Sequence, residues 1–110
     1  MRYWTDEQHQ RILTICDHRR VARLWLFGSA TTDKFDPAQS DFDFLVEMLP
    51  DDDGERLGEN VWELWNELEE LLGRRVDLLT AKYIHNPYLW ASIERSRQLL
   101  YDRASHEVLV

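Results

Sequence analysis

Three aspartates are the residues best placed to do chemistry. Asp41 and Asp43 stand one position apart at the head of an apolar run carrying Phe42, Phe44, Leu45 and Val46, and Asp77 interrupts a second run of Val76, Leu78 and Leu79. On a strand, successive side chains alternate faces, so Asp41 and Asp43 share one face while Phe42, Phe44 and Val46 take the other. At a same-face separation of about 6–7 Å and an effective dielectric of about 20, two ionised carboxylates repel by roughly 2–3 kcal/mol. Such a pair needs a compensating cation, and a divalent metal is the most economical one. Asp77 strengthens this reading, because a single carboxylate inside an apolar run is costly unless paired or liganded. Three carboxylates from two strands form a hard-oxygen site suited to Mg²⁺ or Mn²⁺. Two ions about 3.5–4 Å apart across such a cluster serve in-line phosphoryl or nucleotidyl displacement.

Just upstream, the run Leu24-Trp25-Leu26-Phe27 stops at Gly28-Ser29. Taken alone, a Gly-Ser at a strand end is more often a tight turn than a binding site. A glycine also lets backbone N–H groups approach a phosphate closely, and a helical turn after it would aim further N–H groups at the anion. The Ser29 hydroxyl adds one donor. Its position directly before the Asp-x-Asp strand favours the phosphate reading.

These residues need a frame. Thr5-Asp6-Glu7-Gln8 reads as a capping box opening a helix, with Ile12, Leu13, Ile15 and Cys16 on its buried side and Arg19-Arg20 at its end. Val21 to Phe27 reads as a strand, Ala30 to Gln39 as a turn-rich loop broken at Asp36-Pro37, and Asp41 to Glu47 as a second strand. Pro50-Asp51-Asp52-Asp53-Gly54 breaks the chain before a long helix whose stripe is Leu57, Val61, Leu64, Leu68, Leu71 and Leu72. Gly73 suits the position after that helix, with Arg74-Arg75 beside its end. A third strand spans Val76 to Thr80. Asn86 caps a last helix with Pro87 at its first position and Leu89, Trp90 and Ile93 on one side. Gln98 to Tyr101 forms a short fourth strand, and the tail beyond it is expected to fray. The order α-β-β-α-β-α-β describes an α+β fold: a small mixed sheet with helices packed on it, one domain over residues 1–110.

Composition narrows the function classes. A chain of 110 residues with a 44% hydrophobic share suits one small folded domain and argues against disorder. With 21 acidic residues against 13 basic, the net charge is −8, the wrong sign for a protein whose main task is gripping nucleic-acid phosphates. That acidity fits metal binding or docking on a basic protein partner. Cys16 is the single cysteine, which rules out an intrachain disulfide and a cysteine-rich zinc site. A polar N-terminus and the lack of any membrane-length apolar run point to a cytoplasmic protein. Either a homo- or a hetero-oligomeric assembly is compatible with this composition.

Gly28-Ser29, Asp41-Phe42-Asp43, the Phe35…Asp36-Pro37…Ser40-Asp41 loop and the late Asp77 together resemble the minimal nucleotidyltransferase (MNT) domains of the DNA polymerase β-like superfamily. The resemblance runs over nearly the whole chain. It implies the polymerase β-like nucleotidyltransferase fold and transfer of a nucleoside monophosphate from an NTP with loss of pyrophosphate. On that resemblance Asp41 and Asp43 would hold two Mg²⁺ ions. Asp77 would bind the catalytic ion and help activate the acceptor hydroxyl, and Gly28 and Ser29 would cradle the triphosphate. Stand-alone domains of this size resemble the antitoxins of HEPN/MNT toxin–antitoxin pairs, some of which add AMP from ATP to a tyrosine of the HEPN toxin. The implied function is protein adenylylation that silences such a toxin. Two departures stand out: the loop before Asp41 is slightly longer than the usual family spacing, and Thr31-Thr32-Asp33-Lys34 replaces a common Arg-Gly. Lys34 is the candidate for the missing phosphate-binding charge, with Asp33 beside it opposing.

The competing class is a non-catalytic MNT-like antitoxin that occludes a basic partner, supported by the acidic surface and the missing Arg-Gly. Nucleotidyl transfer to a small molecule ranks last, for want of a second domain to form an acceptor pocket. Asp51-Asp52-Asp53-Gly54 lacks the alternating acids and sixth-position glycine of a calcium loop and reads as a turn with a helix cap. The four histidines show no ligand spacing. Trp62 falls off the leucine stripe of the long helix and Trp65 lies at its edge, while Trp4 and Trp90 suit the edge of the core. An off-stripe tryptophan is a candidate partner contact, with packing under a loop as the plainer alternative.

Overall fold

A computed structural model describes residues 3–50 and 54–105. Helix α1 (Asp6–His18) opens on the expected capping box: Thr5 Oγ1 accepts the Gln8 N–H at 3.1 Å, and the Thr5 N–H donates to Gln8 Oε1 at 2.8 Å. Strand β1 (Val21–Phe27) follows, then a single 3₁₀ turn over Gly28–Thr31, and strand β2 (Phe42–Met48) after the loop. Helix α2 (Gly54–Leu72) leads to strand β3 (Val76–Thr80), helix α3 (Pro87–Ser96) and strand β4 (Gln98–Asp102). Asn86 caps α3 through its Oδ1, which accepts the N–H groups of Tyr88 and Leu89. The predicted acidic turn Asp51–Asp53 lies outside the described residues.

The sheet order is β3-β2-β1-β4, with β1 antiparallel to both neighbours and β2 parallel to β3. Parallel neighbours need a long crossover, which α2 supplies. One face of the sheet carries Leu24, Leu26, Phe42, Phe44, Val46, Val76 and Leu78 against Ile12, Leu13 and Cys16 of α1 and Leu64 and Leu68 of α2. Fully burying a leucine such as Leu64 or Leu68 is worth about 1.5–3 kcal/mol. On the opposite face Trp25, Phe27 and Leu45 meet Ile93 of α3, with Trp90 and Leu79 at the margin. Leu89 stays largely exposed, so α3 buries a narrower stripe than its sequence implies. No helix among the described residues is long and apolar enough to cross a membrane.

The two tryptophans of α2 part as their positions foretell. Trp65 donates its indole N–H to the Val76 carbonyl at 2.8 Å, while Trp62 is 62% exposed. The expected fraying after Tyr101 does not begin there. Arg103 donates to the carbonyls of Val21, Cys16 and Asp17, which pins a short 3₁₀ turn over Arg103–Ser105 to the end of α1.

Gly58 lies inside α2, and a Cβ built there would meet nothing within 4 Å. Nothing in the structure explains a glycine at this exposed helical position. Gly58→Ala should raise unfolding stability by about 1 kcal/mol, read as a higher midpoint in thermal or urea unfolding. An unchanged or lower midpoint would mean the site needs the bare backbone.

Candidate active site

The register assembles the site at the end of the sheet where β1 finishes and β2 and β3 begin. Asp43 pairs with Phe27 across the antiparallel ladder and with Asp77 across the parallel one. Paired residues on adjacent strands project from the same face about 4.8 Å apart, so the Asp43 and Asp77 side chains are neighbours on the α3 side of the sheet. On its other flank Asp43 meets bare backbone. Gly28 has φ +76°, and a Cβ there would sit 2.5 Å from Asp43 Oδ2. Two requirements therefore coincide at this glycine: a left-handed turn and room for a carboxylate.

Asp41 differs from its expected placement. The strand starts at Phe42, so Asp41 occupies the extended lead-in and its side chain is half-exposed. Two successive residues at the end of α2 fix this lead-in. The Phe42 N–H donates to the Arg75 carbonyl at 3.1 Å, and Arg74 Nη1 donates to the Ser40 carbonyl at 2.8 Å. The Arg74 guanidinium also lies over the rings of Phe35 and Phe42, which stack with centroids 5.0 Å apart. Phe35 thus anchors an otherwise exposed loop. Within it, Ala38 N–H donates to Asp36 Oδ1 and Asp36 N–H to Ser40 Oγ. Arg75 Nε stands 3.9 Å from Asp41 Oδ2 but is 82% exposed, a contact too solvated to neutralise the cluster.

Asp77 is exposed, which corrects the reason first given for it. β3 is an edge strand and α3 leaves this end of its face open, so Asp77 itself escapes the burial cost. The cost falls on Asp43. Burial, then the charge of Asp77, then that of Asp41 push the Asp43 carboxyl up from 3.8 to about 6. All three carboxylates therefore act on one locus. Lys34 stands exposed on the loop, its N–H donating to Thr32 Oγ1, and its charge is not among those acting on Asp43. Ser29 is half-buried in the 3₁₀ turn, and its carbonyl accepts the Thr32 N–H.

Among the described residues no three His, Cys, Asp or Glu side chains close on a point tightly enough to cage an ion. The donor set still fits Mg²⁺, which keeps several waters and is commonly held by one or two carboxylates plus substrate phosphates. A Cβ at Gly28 would fill space beside Asp43 Oδ2, and the glycine leaves it open. A separate cavity of about 570 Å³ lies at the other end of β2 and β3, against Leu57, Gly58 and Val61 of α2. Among the described residues its lining holds one carboxylate, Glu47.

Residues 9–100 match the nucleotidyltransferase domain family. The chain belongs to that family. A candidate protein adenylyltransferase of Methanocaldococcus jannaschii is 39% identical over 87 residues, 79% of this chain and 82% of the relative. A second such protein from the same organism is 36% identical over the same shares. Among solved structures, a candidate minimal nucleotidyltransferase superposes with a TM-score of 0.66 at 26% identity, covering 84% of this chain and 88% of that one. A chain of the Shewanella oneidensis complex between a tri-AMPylated HEPN toxin and an MNT antitoxin superposes at 0.60 with 19% identity, covering 94% and 76%. The minimal nucleotidyltransferase fold expected from the sequence is the one observed.

Two residues at this site escaped the sequence reading. Arg74 was legible only as a helix-end cation, and its grip on Ser40 depends on aromatic rings 32 to 39 positions away in the chain. Ser96 accepts the Gly28 N–H at 3.1 Å across 68 positions, a contact with no local signal.

The raised Asp43 carboxyl has a measurable sign. The folded state holds this proton more tightly than the unfolded chain, so the stability it contributes is complete below about pH 4 and is lost as pH rises through about 6. Without metal, Asp43→Asn should melt a few degrees above wild type at pH 8, and the gain should vanish near pH 4. A gain independent of pH would disconnect it from this carboxylate. A double-mutant cycle tests the glycine. Gly28→Ala should cost about 1–2 kcal/mol in the left-handed turn, plus a clash with Asp43 that disappears in an Asp43→Ala background. Strictly additive costs would show that the two groups do not touch.

Proposed function

We propose that this protein transfers AMP from ATP to a protein hydroxyl in a Mg²⁺-dependent reaction, and that the acceptor is a HEPN-type toxin neutralised by the modification. The observation that carries this reading is the pairing of Asp43 with Asp77 against the bare backbone of Gly28. The family, the adenylyltransferase relatives and the fold shared with a chain of a toxin–antitoxin complex crystallised with AMP-PNP support it.

Asp41 and Asp43 hold the metal, Asp77 completes the set toward the acceptor, and Gly28 and Ser29 face the triphosphate. Lys34, exposed on its loop and without an ion pair among the described residues, is available to the phosphate tail. Bound Mg²⁺ supplies positive charge to the triphosphate and to the oxygens that gain charge during displacement. The acceptor oxygen bonds to the α-phosphorus as the bond to the bridging oxygen breaks and pyrophosphate leaves. Asp77, exposed and beside Asp43, accepts the hydroxyl proton. The open edge at β3 gives a protein acceptor room to reach that carboxylate.

The test mixes the protein with ATP, Mg²⁺ and a cognate HEPN toxin. Intact-mass spectrometry should show AMP added to the toxin. Asp41→Asn with Asp43→Asn, or excess chelator, should slow the addition by about 10³-fold or more while the variant stays folded. Equal labelling by the double variant would refute the site. Titration calorimetry with Mg²⁺ and a non-hydrolysable ATP analogue separates catalysis from simple occlusion. Binding heat is expected, and its absence alongside intact neutralisation would favour the non-catalytic reading.

A further inference from the structure

We propose that Ser96, at the end of α3, is a positioning residue that sets the glycine-serine turn for nucleotide; this rests on the reading above. Gly28 bends away from β1 with a positive φ, so its N–H leaves the ladder and needs another acceptor. Ser96 Oγ is that acceptor, at 3.1 Å. Gly28 is thereby held between two fixed groups: the Ser96 hydroxyl on its N–H, and the Asp43 carboxylate against its Cα. Rotation of this peptide would move the following N–H groups and the Ser29 side chain together, along with the gap that admits Asp43.

Ser96 can act as a fixed point because the end of α3 is itself anchored on β1. The next residue, Arg97, closes the helix through its N–H to the Ile93 carbonyl at 2.8 Å, and Ile93 is buried against Trp25, Phe27 and Leu45. The Arg97 guanidinium lies over Trp25 at 5.0 Å and over Trp90 at 5.5 Å, a double cation–π contact. Trp25 is two residues before Phe27 on the same strand face, so the anchor and the turn share one rigid strand. The hydrogen bond from Gly28 also occupies that N–H, and the Thr32 N–H is given to the Ser29 carbonyl, which leaves the Ser29 N–H and hydroxyl as the nearest donors for an incoming phosphate.

Two readouts on Ser96→Ala and Ser96→Thr test this. In metal-free protein, amide hydrogen exchange at Gly28 should quicken about tenfold in the alanine variant, with β1 amides unchanged. Affinity for Mg²⁺-ATP by calorimetry should fall about fivefold, the equivalent of one ordinary hydrogen bond, and Ser96→Thr should restore both. Unchanged exchange at Gly28 would overturn the contact. Faster exchange with undiminished nucleotide affinity would overturn its role in positioning and leave a packing contact. If wild type itself bound no Mg²⁺-ATP, the proposed function would fail and this role with it, whatever the exchange rates showed. Asp43→Asn serves as the control that weakens metal-dependent binding while leaving Gly28 exchange slow.

Discussion

The structure turns on one unfavourable contact: two aspartates side by side at the end of a sheet, one of them partly shielded from water. Asp43 sits on the inner strand β2, between a like charge on β3 and a glycine backbone at the end of β1. Neither flank offers it a counter-ion. The fold tolerates this because the other face of the same strands is fully committed to the core, with Phe42, Phe44 and Val46 buried against α1 and α2. A one-residue slip in β2 would turn Asp43 into the core under α1 and α2 and move those three side chains to the α3 face, so the hydrophobic core fixes which way the carboxylate points.

Much of the remaining architecture serves to keep the site's backbone still. The loop between β1 and β2 is exposed along most of its length, yet each end is held by a residue distant in sequence. Ser96 holds Gly28 where the loop starts, and Arg74 holds Ser40 where it ends. Phe35 ties the middle into an aromatic group with Tyr3, Phe42 and Trp4. A polar loop is thus tied to the fold at both ends while its tip stays in water.

The frame was legible because its signals are local. The Thr5–Gln8 box, the leucine stripe of α2, the Asn86-Pro87 start and the glycine at 73 each specify an element through neighbours a few residues away, and all appear as expected. The three aspartates were legible because a charge in an apolar run is conspicuous. What failed were inferences that depend on what covers a face. Asp77 was expected to carry a burial cost, but β3 is an edge strand and the cost passed to Asp43. Leu89 was placed on one side of α3 with Trp90 and Ile93, yet it is exposed while Ile93 is buried. Arg74 and Ser96 could not be read at all, since each acts on a backbone atom that only the tertiary fold brings near. The long-range part of the fold holds that information.

α2 and α3 both reach the site by their C-terminal ends: α2 through Gly73 to the residues that hold the Asp41 lead-in, and α3 through Ser96 to Gly28. Those ends carry the negative pole of each helix macrodipole, worth about half an elementary charge apiece. Phosphate sites are often built the other way round, with a helix N-terminus greeting the anion. Here the backbone field has the same sign as the three carboxylates, and Arg74, Arg75 and Arg97 beside the same helix ends offset part of it. Under the proposed function, a triphosphate meets less repulsion at this corner when it comes with its cation, a bias to which the direction of two helices contributes.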